Sequence, residues 1–346
     1  MERKENSKLA FYARIGLVLH AFLLSLLILY LGKILFIPLF FALLIAILLY
    51  PLTRMMERRM KKSAAAVLAV LLFLVLVGSV VFFFTKELVL FLKDLPKAQS
   101  KFLEIAENLQ MWVSSKFNLD NAQQMDYLRK SANGLLSSAG STFLGTLEFV
   151  VLFIFFLIFT YFILVHRKLL TNFILAFFDE GNKIKVDLVI NSTRSMINNY
   201  VIGLLTEMAI MFTLILIILL ILGVKYAMLI AVVAAVLNVI PYIGIYIAAA
   251  FAMLIALTNG TEHLAIYAGV SFIIVHFVDA NILMPHIVGG RVKINPFITI
   301  VAVIMGKLIW GIPGMFLFIP LTAIIRIISE NVHDLKPWSI LIGEEK

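Results

Sequence analysis

The sequence predicts an all-α membrane protein that crosses the bilayer several times. Apolar residues make up 62% of its 346 positions and charged residues only 14%, whereas soluble domains are roughly half apolar and about a quarter charged. Too few polar side chains remain to cover a soluble protein of this size, so lipid must surround much of the chain. Apolar runs recur along the sequence, and most are near the roughly 20 residues that a spanning helix needs.

About eight membrane segments are predicted from these runs. They lie at 9–31, 34–50, 64–85, 146–165, 201–222, 226–257, 264–285 and 296–328. The first run is longer than the apolar core of a signal peptide and has no small-residue cleavage site, so we expect a retained helix.

Two segments outside these runs are also expected to be helical. Residues 86–145 carry apolar side chains at helical spacing, which predicts amphipathic helices outside the membrane. This region either docks a partner protein or packs as a cap on its own chain. Residues 180–199 are predicted to form an amphipathic cytoplasmic helix that leads into the fifth span.

Two runs are too long for one comfortable span and are broken in the middle. Residues 226–257 and 296–328 each extend for about 32 residues. Proline and glycine interrupt them at Asn238–Gly244 and at Gly306–Gly314, where the chain can turn. Irregular backbone at membrane depth is tolerated only where protein or a water-filled cavity surrounds it. We therefore predict two re-entrant helical hairpins.

The hairpins create an inverted repeat in the C-terminal half. Residues 201–257 and 264–328 both consist of a helix followed by a hairpin, and they enter the membrane from opposite sides. With this arrangement and a cytoplasmic N-terminus, most lysines and arginines of the short loops and the C-terminal tail fall on the cytoplasmic side. Inverted repeats of this kind place their binding sites near the middle of the bilayer.

The first break offers groups that bind ions or polar solutes. Asn238 supplies an amide, and Tyr242 supplies a hydroxyl and an aromatic face. Backbone groups freed around Pro241 and Gly244 add donors and acceptors. The alternative is a structural kink that binds nothing.

The second break is predicted to supply the other half of a solute site. Its candidate residues are Trp310, Gly311, Pro313 and Gly314, at the tip of the second hairpin. A site between the two tips would lie near the middle of the bilayer.

Ionisable residues inside membrane segments are costly and usually functional. Asp279, Glu207 and the neighbouring amide of Asn281 are the candidates for binding a coupling cation or a proton. For Asp279 the alternative is an ion pair with Lys307 or Arg291 that only fixes packing. Glu207 is near enough to a helix end to extend toward the membrane surface instead.

Several other classes of function are disfavoured by the sequence. The excess of 29 Lys and Arg over 20 Asp and Glu is explained by retention of positive charge in the cytoplasm, so no nucleic-acid partner is predicted. Cysteine is absent, and no nucleotide-binding or hydrolase motif occurs, so the chain is not predicted to be an enzyme. His276, Asp279 and His286 form no metal-binding pattern, and no metal or other cofactor is predicted.

The sequence resembles the autoinducer-2 exporter family of bacterial transporters. The matching residues are Tyr200, Gly203, Leu222–Val224, Asn238–Gly244, Asp279, Asn281, Pro285, Gly289, Pro296, Gly306, Trp310–Gly314 and Pro320. The resemblance covers most of the chain and is specific in its C-terminal half. Two positions depart from the family pattern: Leu204 stands where glutamine is common, and Ile245 stands where proline is common.

This resemblance implies transport without ATP by a homo-oligomer such as a pentamer. Some members export small polar solutes such as the signal autoinducer-2, and others are linked to sodium/proton antiport. The resulting hypothesis is an ion-gradient-driven exporter in the bacterial inner membrane, with both termini in the cytoplasm and alternating access. The alternatives are a sodium/proton antiporter, a channel, and a membrane scaffold that recruits partners through residues 86–145.

The sequence divides into five regions under this hypothesis. Residues 1–85 are membrane helices for scaffold and subunit contacts, and residues 86–145 are the extracytoplasmic helices. Residues 146–200 contain the fourth span with its cytoplasmic helix. Residues 201–328 form a moving transport unit, and residues 329–346 form a cytoplasmic tail.

Overall fold

The computed structural model describes residues 11–117, 146–239, 244–259, 262–284, 286–287 and 293–344. Throughout these ranges the chain is helical, and the extended backbone is limited to an isolated bridge between Ile294 and Gly343. Six of the described helices are long and apolar enough to cross a membrane. The structure confirms the prediction of an all-α, multi-pass membrane protein.

Eleven α-helices, one π-helical segment and one 3-10 turn make up the described chain. The α-helices are α1 (Phe11–Leu31), α2 (Lys33–Met56), α3 (Lys62–Phe117), α4 (Thr146–Ala176), α5 (Glu180–Ile221), α6 (Ala227–Leu237), α7 (Gly244–Asn259), α8 (Glu262–Val278), α9 (Pro296–Trp310), α10 (Ile312–Asn331) and α11 (Lys336–Ile342). The π-helix Asp279–Leu283 continues α8, and the 3-10 turn His333–Leu335 precedes α11.

Two elements that the sequence analysis separated are continuous helices. The predicted cytoplasmic helix at 180–199 and the fifth span form the single helix α5, because no proline interrupts residues 180–221. The third span continues to Phe117 in α3. Residues 118–145, the rest of the predicted amphipathic region, lie outside the described part of the chain.

Three buried clusters hold the helices together. The first joins the second half of α5 to α6, α7 and α8, with Phe91 of α3 at its edge. Eight of its nineteen buried members are alanines, which let the helices approach closely, namely Ala227, Ala231, Ala234, Ala248, Ala252, Ala256, Ala265 and Ala268. The second cluster joins α2, the middle of α5, α9 and α10. The third joins α2, α3 and α4.

The α9–α10 pair is a tight helical hairpin. Gly311 links the two helices with a φ of 66°, a left-handed conformation that favours glycine. On either side of it, Gly306 and Gly314 pack backbone against backbone. A Cβ atom at Gly314 would lie 2.0 Å from the carbonyl oxygen of Gly306. The antiparallel pairing that the second break predicts is therefore present.

The α6–α7 pair also reverses the chain within a short distance. A Cβ atom at Gly244, the first residue of α7, would lie 1.7 Å from the carbonyl oxygen of Leu237, the last residue of α6. The start of α7 is thus in backbone contact with the end of α6. Pro241 and Tyr242, between them, lie outside the described residues. With 11 residues, α6 is too short to cross a bilayer.

Polar contacts fix two of the helix ends. Arg167 of α4 donates from both terminal nitrogens to the carboxylate of Glu57, at 2.5 and 2.7 Å. At the other end of the bundle, Lys225 and the hydroxyl of Tyr226 both bind the carboxylate of Asp94 on α3. The first contact joins α2 to α4, and the second joins α3 to the start of α6.

We expect Glu57→Gln to lower the thermal stability of the purified protein in detergent. The hydrogen bonds from Arg167 hold the pKa of the Glu57 carboxyl below its ordinary value. The stabilisation is therefore complete above the ordinary pKa and is lost as pH falls through the lowered one. At neutral pH we expect a loss of about 1 kcal/mol, measured from the unfolding midpoint. Asp334→Asn, at an exposed carboxylate, is the matched control. An equal shift in both variants would contradict the assignment.

We also expect Gly314→Ala to weaken the α9–α10 hairpin, because the added methyl group would meet the backbone of Gly306. Overpacking of this kind costs about 1–3 kcal/mol. Gly78→Ala on α3 is the control, since no neighbouring atom lies within 4 Å of its new Cβ. Thermal unfolding midpoints in detergent compare the two, and unchanged stability of Gly314→Ala would refute close packing here.

Candidate functional site

Three polar side chains from separate elements meet among the helices of the C-terminal half. Asn238 follows the last residue of α6, Glu207 lies on α5, and Asp279 opens the π-helix. The Asn238 amide nitrogen, Nδ2, donates to Oε1 of Glu207 at 3.1 Å and to Oδ2 of Asp279 at 3.4 Å. One amide therefore bridges two carboxylates.

Both carboxylates are buried. Glu207 is 7% exposed and Asp279 is 4% exposed. The second carboxylate oxygen of Asp279, Oδ1, is buried and accepts no hydrogen bond from the residues that the structure describes. Among the described residues no lysine or arginine pairs with either carboxylate. Lys307, the partner considered for Asp279, is exposed and does not reach it, and Arg291 lies outside the described residues.

The surrounding backbone favours positive charge at this position. The C-terminal end of α6 is at Asn238, and the end of a helix carries a partial negative charge from its unpaired carbonyl groups. Asp279 begins a π-helical turn, a local distortion that is frequent at functional sites. Two carboxylates, an amide and a helix C-terminus form a donor set suited to a cation or a proton.

His276 and Tyr246 border the cluster. His276 lies one turn before Asp279 on the same helix, close enough for an electrostatic interaction, and its buried Nδ1 atom has no hydrogen-bond partner. Its ring packs edge-on against Tyr246 of α7, with centroids 5.4 Å apart. The i, i+3 spacing of His276 and Asp279 was visible in the sequence, but Tyr246 had no such signal. The residues that the structure describes contain no group of three or more potential metal-ligating side chains.

Asn281 and His286 point away from this cluster. The Asn281 side chain is exposed and donates to the backbone oxygen of Phe277 in its own helix. His286 is also exposed and contacts the backbone oxygen of Ile282. In this conformation neither residue adds to the donors around Asp279.

The tip of the second hairpin lies in a different environment. The Trp310 indole is buried and donates from Nε1 to the backbone oxygen of Leu29 at 2.8 Å. Its ring packs against Phe40 of α2 and Phe318 of α10. No hydrogen bond, ion pair or ring contact joins Trp310 to the carboxylate cluster. Trp310 therefore anchors α9 to α1 and α2.

The other predicted residues of the second tip serve the turn itself. Gly311 links the two helices, and Pro313 lies in the first turn of α10. Gly314 forms the backbone contact with Gly306. The structure brings none of these three to Asn238.

Tyr200 connects the two environments. This buried residue lies about two turns before Glu207 on α5, within range of an electrostatic interaction with its carboxylate. On its other side it stacks on Phe316 of α10, with centroids 6.2 Å apart. In the sequence, Tyr200 was indicated only by the family pattern, and no signal pointed to its position between these two environments.

Comparison with known proteins places the chain among transporters. The sequence profile of a family described as AI-2E family transporter matches residues 19–334. YhhT of Escherichia coli K12 is 27% identical over 35% of this chain and 35% of its own length. YrrI of Bacillus subtilis 168 is 27% identical over 33% of this chain and 31% of its own. The names of both describe candidate transport proteins, and the matched segments span about a third of each relative.

We expect Asn238→Leu to destabilise the protein, because it removes the one amide that donates to both buried carboxylates. Leaving a buried charged acceptor without its hydrogen-bond donor typically lowers the stability of the folded protein by about 1–3 kcal/mol. Asn281→Leu is the matched control, since its amide bonds only its own helix. Thermal unfolding in detergent measures both variants. The shared-amide geometry would be wrong if Asn238→Leu were no less stable than Asn281→Leu.

Proposed function

The chain belongs to the AI-2E family of transporters, and we propose that it is a secondary transporter whose coupling ion or proton binds between Glu207 and Asp279. Membrane transport follows from the family. The coupling site is our inference from the geometry, as are the solute and the direction of movement.

The buried carboxylate pair carries this proposal. An ionised carboxylate at membrane depth is costly unless a partner neutralises it, and here two carboxylates share one neutral amide. Binding of a cation or a proton would remove that cost. An unpaired, buried oxygen on Asp279 gives the ion a place to bind.

Asn238 would transmit ion binding to the broken helix. In the described conformation its amide nitrogen faces the carboxylates. A cation at the same place repels that nitrogen and favours the amide oxygen, so the side chain must turn. Asn238 immediately precedes the segment with Pro241 and Tyr242, which we propose as the solute site together with Gly244. Ion binding and the shape of the solute site would then change together.

The anchored second hairpin suggests which part moves. Trp310 ties α9 to α1 through Leu29, whereas α6 and α7 belong to a cluster in which eight buried alanines let the helices approach closely. We therefore propose that α6 and α7 are the moving element of alternating access, within the broader transport unit at 201–328. The predicted roles of Trp310, Gly311, Pro313 and Gly314 in solute binding require them to approach this element in another state.

The membrane arrangement is also a proposal, and it is supported by the charges of the short loops and by the family resemblance. We propose that both helix pairs, α6–α7 and α9–α10, are re-entrant hairpins. In this arrangement both termini lie in the cytoplasm and the protein is a homo-oligomer in the inner membrane. The solute is a small polar molecule, and autoinducer-2 is the first candidate because of the family resemblance. Sodium/proton antiport without an organic solute is the second candidate function, and the two adjacent carboxylates favour it.

We expect Asp279→Asn and Glu207→Gln each to reduce gradient-driven flux in proteoliposomes. An amide can neither take up a proton nor supply the negative charge that balances a cation, and coupling free energies of this kind correspond to losses of roughly 5- to 150-fold. The assay imposes a pH or sodium gradient and follows autoinducer-2, sodium and protons. Glu180→Gln, an exposed acid-to-amide change on the same helix α5, should leave flux unchanged.

The outcomes separate the alternatives. Gradient-dependent movement of autoinducer-2 supports the exporter, whereas exchange of protons for sodium alone supports the antiporter. Full flux with an unchanged pH profile in Asp279→Asn would remove this residue from coupling. Single-channel currents would contradict a carrier mechanism. If no substrate moves, deletion of residues 86–145 tests whether partner recruitment is the function.

A further inference from the structure

A cavity lies about 20 Å along α5 from the carboxylate pair, as judged from Arg194 and Glu207 on that helix. Its volume is about 690 Å³, within the range of roughly 300–1,000 Å³ that is usual for small-molecule sites. Its walls come from α2, α4, α5 and α10 and from the residues that follow α10. It is therefore distinct from the proposed coupling site.

The walls combine a long apolar surface with positive charge. Fifteen of the lining residues are apolar, and these are Leu43, Ala46, Ile47, Ile163, Leu164, Leu170, Ile174, Phe178, Val186, Val189, Ile190, Ile197, Ile324, Ile328 and Val332. The basic lining residues are Arg167, Lys185, Arg194 and His333, and the lining contains no aspartate or glutamate. An occupant must therefore be anionic at one end and apolar over most of its surface.

Two of the basic side chains are available to such an occupant. Arg167 is occupied by Glu57, which accepts hydrogen bonds from both of its terminal nitrogens. Arg194 lies over the ring of Tyr50, 5.4 Å from its centroid. Within the described ranges neither Arg194 nor Lys185 forms an ion pair. No described acidic side chain neutralises the positive charge that they bring to the cavity.

We propose that this cavity binds an anionic phospholipid, with its headgroup attracted by the positive charges of Arg194 and Lys185 and an acyl chain along the aliphatic wall. Basic pockets between transmembrane helices are suited to anionic lipid headgroups. A soluble phosphate would satisfy the charge but would leave the aliphatic wall without a partner. A zwitterionic lipid would fill the wall but would place a second positive charge beside Arg194.

Native mass spectrometry of the purified full-length protein in detergent tests this proposal. Titration with phosphatidylglycerol should give a bound lipid of higher affinity than titration with phosphatidylcholine. The double variant Lys185→Gln with Arg194→Gln should bind phosphatidylglycerol roughly tenfold more weakly, the change expected for loss of a charge-assisted contact. Lys168→Gln is the matched control, because this lysine is exposed and does not line the cavity.

A second variant tests whether weaker lipid binding results from the change in net charge alone. Ile190→Trp fills the cavity without changing the charge, and it should also weaken phosphatidylglycerol binding, while size-exclusion chromatography confirms that it folds.

Equal affinity in the wild type and the double variant would overturn the proposal, and so would equal affinity for phosphatidylcholine. Protection from thermal unfolding by inorganic phosphate alone, matching that by the lipid, would overturn the lipid assignment. Glu207→Gln should keep full lipid binding, so failure of the transport proposal is distinguishable from failure of this one.

Discussion

The arrangement of the C-terminal half depends on one side-chain amide. Asn238 holds Glu207 and Asp279 together, and it thereby connects α5, α6 and the helix formed by α8 with its π-helical extension. Buried polar groups must find partners within the protein, because lipid offers none. The three elements are consequently positioned by a polar contact as well as by packing. Within the described residues, the same contact leaves one carboxylate oxygen of Asp279 without a hydrogen bond.

Apolar packing provides the remaining order, and it does so differently in the two hairpins. Around α6 and α7 eight buried alanines hold the helices close, beside larger side chains such as Phe91, which packs edge-on against Phe251. Around α9 and α10 the aromatic rings of Trp310, Phe40 and Phe318 interlock, and two glycines bring the backbones together. A surface of small side chains can slide with little repacking, whereas an interlocked aromatic cluster resists displacement. This difference is the structural basis for assigning movement to one hairpin and anchoring to the other.

The sequence was sufficient for the helical architecture, and it indicated Asn238, Glu207 and Asp279 of the candidate site but not Tyr246. Apolar run length predicted the spans, and proline and glycine predicted both chain reversals. The cost of burying charge indicated Glu207 and Asp279. The convergence of these residues could not be predicted, because helical periodicity defines the face of a helix but not its neighbour. Glu207 and Asp279 lie 31 and 41 positions from Asn238. For the same reason, the sequence did not indicate that the Trp310 indole donates to Leu29, 281 positions away.

The length of α5 has a mechanical consequence. Its 42 residues extend for about 63 Å, roughly twice the thickness of the hydrocarbon core. No proline interrupts the helix, so it behaves as a stiff lever with Glu207 on one arm and Arg194 on the other. A tilt of about 5° moves one end of such a lever by about 5 Å relative to the other. The proposed lipid cavity and the proposed coupling site therefore lie along one continuous helix, and a distance label at either end would report on its tilt.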